Sequence, residues 1–409
     1  MCPAACLYDG LYRESHPRRH PGIGGSHPRR EEVRIDNRPI RWRLLAVQLD
    51  LPSQKTRSTA EDTMSSIVDQ LRGNDPSLKE IRLTEVPSAY GASIYDIIDA
   101  LEVNTTIEFI RLDRDFLPGM EPEHSIAFFT ALGKVSSLKE ASIWHCTIPV
   151  TALSEFLSGA RGLQILQLGC LDLEGNVDDF QAVAESLKEH PGLKSFTMSD
   201  FSLNDDTISI DGLIETLATV PNLERVKLEV TYQKRRSLVG NAAAEKKVKV
   251  ALTGKSLAKL ILSKSLVDLH LSRLNLDLTD FTDFATALKS SPSLKTLATP
   301  HCGLNDQGAV PMALAIGESK TLESVDLSCN KLSDEGCISI ATALKGNSSV
   351  KFLRLWGNVK ISNAGFDALV DMLEHNCVLE RVPLMAPNDY QDRLEGKLLR
   401  NRQTANQAA

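Results

Sequence analysis

The chain has 409 residues, 42% of them apolar and 5% aromatic, and carries a net charge of −7. That apolar content excludes a wholly disordered chain, and the scarce aromatics point to a core of Leu, Ile, Val and Ala. No stretch reaches the roughly 18 uninterrupted apolar residues that a membrane-spanning helix needs.

Charge is unevenly spread. Residues 1–43 hold nine Arg against five acids, and residues 230–264 hold nine Lys or Arg against the single Glu245. These segments carry +4 and +8, so the remainder of a chain totalling −7 must sit near −19. An acidic body with a basic leader and a basic island is the expected electrostatic outline.

In chain order, residues 1–43 come first. Their start, MCPAACLYDGLYRESHPRR, lacks the basic-then-apolar layout of a secretory signal. The segment repeats itself as SHPRRHPG and SHPRREE, a Pro, His and Arg-rich composition that cannot pack a core and reads as a solvated leader. From about residue 40, IRWRLLAVQLDL alternates well enough to be a strand.

A recurrent pattern, L-x-x-L-x-L-x-x-N/C-x-L, then takes over. It begins at Leu78, Ile107, Leu138, Leu163, Leu193, Leu223, Leu266, Leu294, Leu322, Val350 and Leu379. The steps are 29, 31, 25, 30, 30, 43, 28, 28, 28 and 29 residues, a near-constant period that marks a repeat architecture. Between starts lies a helical pattern of apolar residues, such as Cys337, Ile340, Ala341 and Leu344. Each repeat is therefore expected to be a short strand, a turn and a helix of about three turns. Such a unit cannot bury its own apolar face and must stack on its neighbours.

The 43-residue step holds the basic insertion, near 230–256, with the sequence TYQKRRSLVGNAAAEKKVKVALTGKS. Its TGKS suggests a phosphate loop, but the Walker pattern needs Gly five residues before Gly254, where Lys249 stands. The expected role is a protruding loop, with an acidic partner across 230–264 as its functional reading. After the repeats, NDYQDRLEGKLLRNR places Leu394 and Leu398 on one helix face, which suits a cap over the open end of the stack. The expected division is thus a leader over 1–43, repeats over 44–385 and a capping segment over 386–409.

The period and the helix in each unit resemble the ribonuclease-inhibitor class of leucine-rich repeat across roughly residues 60–385. The resemblance implies an α/β solenoid, a horseshoe with a concave parallel β-sheet and α-helices on the convex side. It also implies that the ninth position, occupied by Asn330, Asn358, Cys146 and Cys302, is structural: a polar group there bonds to loop backbone. Val86, Leu171, Phe201 and Leu274 depart from that pattern.

No catalytic set emerges. There is no HExxH or GxSxG motif, and the HC pairs at His145–Cys146 and His301–Cys302 lie too many repeats apart to share a metal ion. The cysteines include no CxxC pair, so reduced thiols in a cytoplasmic or nuclear protein are expected. Neither cofactor nor metal is expected, nor a membrane or nucleic-acid partner.

Function is instead expected on the inner sheet. Residues between the two apolar anchors, and after the second, should face the concavity. These columns place Arg82, Arg111, Trp144, His270, Asp326, Arg354 and Trp356 there as candidate protein-binding residues. Trp and Arg dominate binding hot spots, which singles out Trp144 and Trp356. The reading is a non-enzymatic scaffold for a protein partner. A second reading follows from resemblance to Ran-type GTPase-activating proteins, which share the repeat class and act by binding a small GTPase. That family carries a strongly acidic tail, whereas this chain ends LLRNRQTANQAA.

Overall fold

The Leu-initiated segments fold as one row of strands. In the computed structural model, the described residues are 67–408 without 86, 88–91, 114–115, 117–120, 189, 202–206 and 231–248. They belong to one compact unit, Arg57–Ala409. The leader, the strand expected near residue 40 and most of the basic insertion lie outside the described residues.

Ten strands form a single parallel sheet in chain order. They are β1 (Glu80–Leu83), β2 (Phe109–Leu112), β3 (Glu140–Trp144), β4 (Ile165–Gly169) and β5 (Ser195–Ser199), then β6 (Arg225–Glu229), β7 (Asp268–Ser272), β8 (Thr296–Ala298), β9 (Ser324–Asp326) and β10 (Phe352–Arg354). The pattern's eleventh start contributes a single bridge, Arg381 to Phe352. Alternation sends the two anchors of each strand to the helix side, where Leu322, Val325, Leu327 and Leu332 are all fully buried.

Helices cover that side: α1 (Ile94–Glu102), α2 (Pro122–Lys134), α3 (Val150–Gly159), α4 (Val177–Leu187), α5 (Asp211–Leu217), α6 (Gly254–Ile261), α7 (Leu278–Lys289), α8 (Asp306–Glu318), α9 (Asp334–Leu344), α10 (Asn363–His375) and α11 (Asn388–Ala408). The sequence pattern predicts about three turns in each, yet α5 and α6 are seven and eight residues long. Ile210 is the N-cap of α5, and Pro221 lies just beyond the helix. The architecture is that of a leucine-rich-repeat solenoid, a parallel sheet on one side and helices on the other.

The ninth-position column behaves as scaffold. Asn330 donates through Nδ2 to the carbonyls of Thr299 at 2.8 Å and Leu327 at 3.0 Å and accepts from Leu304 N at 3.1 Å. Asn358 repeats this with Leu327 and Leu355. The thiols of Cys146 and Cys302 donate to neighbouring carbonyls at 3.1 and 3.4 Å, and burial pushes both up to about 12. Leu171, Phe201 and Leu274, which break the column, are buried apolar plugs. Around them, short parallel strands beside the main sheet take over backbone pairing: Thr147–Pro149 with Asp172–Glu174, and Thr207–Ser209 with Lys249–Ala251.

Lys249–Ile261 therefore belongs to the regular row, which shortens the loop expected over 230–256. TGKS begins a helix: the Thr253 side chain caps α6 by accepting from Ser256 N.

The residue at Gly336 in the LSDEG stretch closes a staple between repeats. Asp306 accepts from Ser333 N at 2.8 Å and Gly336 N at 3.0 Å, holding the first turn of the next repeat's helix. A Cβ on Gly336 would sit 2.6 Å from the Asp306 carboxylate. Asp334 does the same for Ser362 and Gly365.

A second buried column lies three residues before the first anchor, where each helix returns to the sheet. It contains Asn104, His190, Ser319, Asn347 and Asn376, all buried. The asparagines donate to carbonyls of the preceding repeat and accept from the first N–H groups of the next strand. His190 reaches Ala160 O through Nε2 at 3.0 Å, but its Nδ1 has no partner among the described residues.

Burial holds His190 below the usual histidine range, despite its bond to the Ala160 carbonyl. A depressed histidine stabilises the fold fully above the unfolded value of about 6.5, and that stability drains away as pH falls below it. His270 and His301 shift the same way, also chiefly through burial. The melting temperature should therefore fall between pH 7 and 5.5. His190→Asn should restore the asparagine pattern and flatten part of that slope; an unchanged slope would remove His190 from the account.

Candidate protein-binding face

The face of the sheet away from the helices is open, and the strand register fixes what stands on it. The first column runs unbroken from Arg82 through Arg111, Ser142, Gln167, Thr197, Lys227, His270, Ala298 and Asp326 to Arg354. Strands lie about 4.8 Å apart, so Arg82 and Arg354 are separated by about 43 Å along the row. The seven candidates are thus distributed along the sheet, and only part of the set meets.

Near the first strands, Arg82 Nε pairs with Glu80 at 2.6 Å and Arg111 with Asp113 at 3.2 Å. Trp144 is half-buried. Its Nε1 donates to Ser142 Oγ at 2.7 Å, and its ring lies over Gly169, where a Cβ would come within 2.8 Å of Cδ2. This indole shields its neighbouring strand and presents only part of its surface. His270 is half-buried between Lys227 and Ala298 in the register, and burial, then the Lys227 charge, holds it below its usual value.

Asp326 and Arg354 meet at the other end, and Trp356 follows two residues beyond Arg354. The Asp326 carboxylate accepts from Ser328 N at 2.9 Å and Ser328 Oγ at 2.6 Å, and meets Arg354 Nη1 at 3.4 Å. Trp356 is 49% exposed. Between these ends the floor is small: Ser142, Ser199, Ser272, Ala298 and Ser328 are all buried.

Two features escape the column reading. Phe352 and Arg381, each one step outside the columns, join the cluster: the guanidinium groups of Arg354 and Arg381 both lie 5.5 Å from the Phe352 ring centroid. The second feature is a charge ladder along the edge where the strands begin. Glu108 lies between Lys79 at 3.4 Å and Lys139 at 2.5 Å, and Glu323 between Lys295 at 3.1 Å and Lys351 at 3.8 Å. All are exposed, so each pair contributes at most about 1 kcal/mol. The signal is present in the sequence as alternating Lys and Glu after the first anchor.

Among the described residues, no group of His, Cys, Asp or Glu is arranged to hold a metal ion, and no helix is long and apolar enough to cross a membrane. Comparison with known proteins agrees with the repeat. Residues 318–341 match the family described as Leucine Rich repeat. Two mouse proteins, NACHT, LRR and PYD domains-containing proteins 4C and 4E, are each 30% identical over an alignment of 158 residues. The alignment takes in 31% of this chain and 16% of each relative, so the chain spans about a sixth of their length. Among solved structures, the yeast Rad7 and Elc1 complex includes a chain similar over 81% of this one and 86% of its own, at 12% identity and a TM-score of 0.41. The repeated sequence and the strand-and-helix row make the fold a leucine-rich-repeat solenoid, and one stretch of it, residues 318–341, matches the Leucine Rich repeat family.

Proposed function

We propose that this chain is a non-enzymatic scaffold of the ribonuclease-inhibitor repeat type, binding a protein partner on the open sheet face. The observation that carries this reading is Trp356, a large aromatic left 49% exposed two residues beyond Arg354, which together with Arg381 stacks on Phe352. An exposed Trp amid Arg and Phe is the composition of an interface core awaiting a partner. Arg82, Arg111, Trp144, His270 and Asp326 are proposed as the remaining contacts of an extended footprint. Residues 1–43, 44–385 and 386–409 are proposed as leader, recognition body and cap.

Truncating a hot-spot Trp or Arg costs at least about 2 kcal/mol, roughly a 30-fold loss of affinity. Partners captured by wild type should therefore be lost by Trp356→Ala/Arg354→Ala at unchanged melting temperature. Trp144→Ala should weaken binding less and lower stability more, because it uncovers Gly169. Identical partner sets for wild type and the double variant would overturn the reading.

A further inference from the structure

At the opposite edge of the sheet, where the strands end, three successive turns enclose a groove of about 240 Å³ lined by Arg273, Asn275, His301, Cys329 and Lys331 among others. We propose that this groove is a separate binding site for the carboxylate side chains of an acidic protein segment. It does not depend on recognition by the open face.

The walls are fixed by the backbone. Arg273, His301 and Cys329 have φ of 60°, 58° and 55°, left-handed values that cost a non-glycine residue about 1–2 kcal/mol each. They are held there because each backbone N–H donates to the next repeat's carbonyl: Arg273 to Pro300, His301 to Ser328 and Cys329 to Trp356, at 3.1, 3.2 and 2.7 Å. The ladder sets three side chains at one-strand spacing along a single edge. Lys331 is fixed beside them through its own N–H, which donates to Leu304 O at 2.8 Å.

The chemistry of the lining is one-sided. It contains two permanent cations, a histidine and an amide, and no carboxylate. Arg273 is anchored by Glu229 at 3.3 Å from Nη1, which orients the guanidinium while leaving other N–H groups for a ligand. Lys331 is exposed and has no ion-pair partner among the described residues. Burial, then the Arg273 charge, holds His301 below its usual range, so at neutral pH it offers hydrogen bonds and no charge. Burial and Asp326 push the Cys329 thiol up, so the groove offers no thiolate nucleophile.

Outside residues 1–43 and 230–264 the chain carries about −19, so a cationic groove without carboxylates is an exception on an acidic body. It complements a short acidic segment. A nucleic acid would need a long basic stripe, whereas Glu229 and Asp326 flank this groove closely enough to act on His301.

The test is fluorescence anisotropy of the full chain with a labelled Glu-rich decapeptide, its Gln counterpart and a ten-residue oligothymidylate. The Glu peptide should bind saturably and the Gln peptide should not. Lys331→Gln, an exposed change that touches no core, should weaken binding about tenfold, and Lys331→Gln/Arg273→Gln further. Lys246→Gln/Lys247→Gln, in the basic insertion, should leave it unchanged. Absence of saturable Glu-peptide binding, insensitivity to Lys331→Gln, loss with the insertion variant, or tighter oligothymidylate binding through Lys331 would each overturn the proposal.

Discussion

Gly254→Ala should destabilise the middle of the row by about 3 kcal/mol, while Lys255→Ala, one residue on, should change stability by less than about 0.5 kcal/mol. Gly254 opens α6 against the start of α7. Its N–H donates to the Asp280 carboxylate at 2.8 Å, and a Cβ would lie 2.6 Å from Asp280 Cα. The obstacle is backbone, so no rotamer change relieves it, and α6 must separate from α7. Lys255 is exposed at the same helix start. Were TGKS a phosphate loop, the ranking would reverse, with Lys255→Ala abolishing any nucleotide-induced rise in melting temperature. Thermal melts of the two variants with and without ATP-Mg²⁺ decide the matter. A Gly254→Ala protein as stable as wild type would show that the helices separate without cost.

The strands were legible in the sequence because a stacked repeat has one dominant constraint. Leu322, Val325 and Leu327 must all reach the core, so the period of two fixes which residues between them face outward. The register then follows from the near-constant step, and the column from Arg82 to Arg354 reads off without error. What lay hidden depends on neighbours across repeats. That Trp144 would lie down on the sheet is decided by Gly169, 25 residues later. That Phe352 would stack with Arg381 depends on a final segment which forms only a bridge. The groove at Arg273, His301 and Lys331 is assembled from turn residues, whose backbone the apolar pattern leaves unspecified. Polar residues before each first anchor look like ordinary loop chemistry until the helix ends are seen to need partners.

Those polar residues carry the other large expected effect. Asn347→Ala should cost about 3 kcal/mol, although Asn347 lies outside every motif the repeat defines. Its Nδ2 donates to Ile316, Gly317 and Ser319 carbonyls at 3.1–3.2 Å, while Oδ1 accepts from Ser349 N at 3.0 Å and Val350 N at 2.8 Å. Alanine leaves these groups without partners in a site where Asn347 is only 3% exposed. The damage should spread in a definite direction. Asn376 donates to Asn347 O at 3.1 Å, and Asn401 of α11 donates to Asn376 O at 3.0 Å, so the last two members of the column form a relay with Asn401 that ends in the terminal helix. Asn347→Ala and Asn376→Ala should therefore combine non-additively, while Asn104→Ala, at the far end of the row, should add to either. Val350 leads directly into β10, which precedes Trp356. Hydrogen exchange should thus accelerate across residues 350–356 in Asn347→Ala and stay unchanged across β1 and β2. Asn347→Ser should recover part of the loss, because Ser319 in the same column already accepts from Thr321 N and Leu322 N through its hydroxyl. A uniform rise in exchange along the row, or a cost below about 0.5 kcal/mol, would show that the relay does not support the strand.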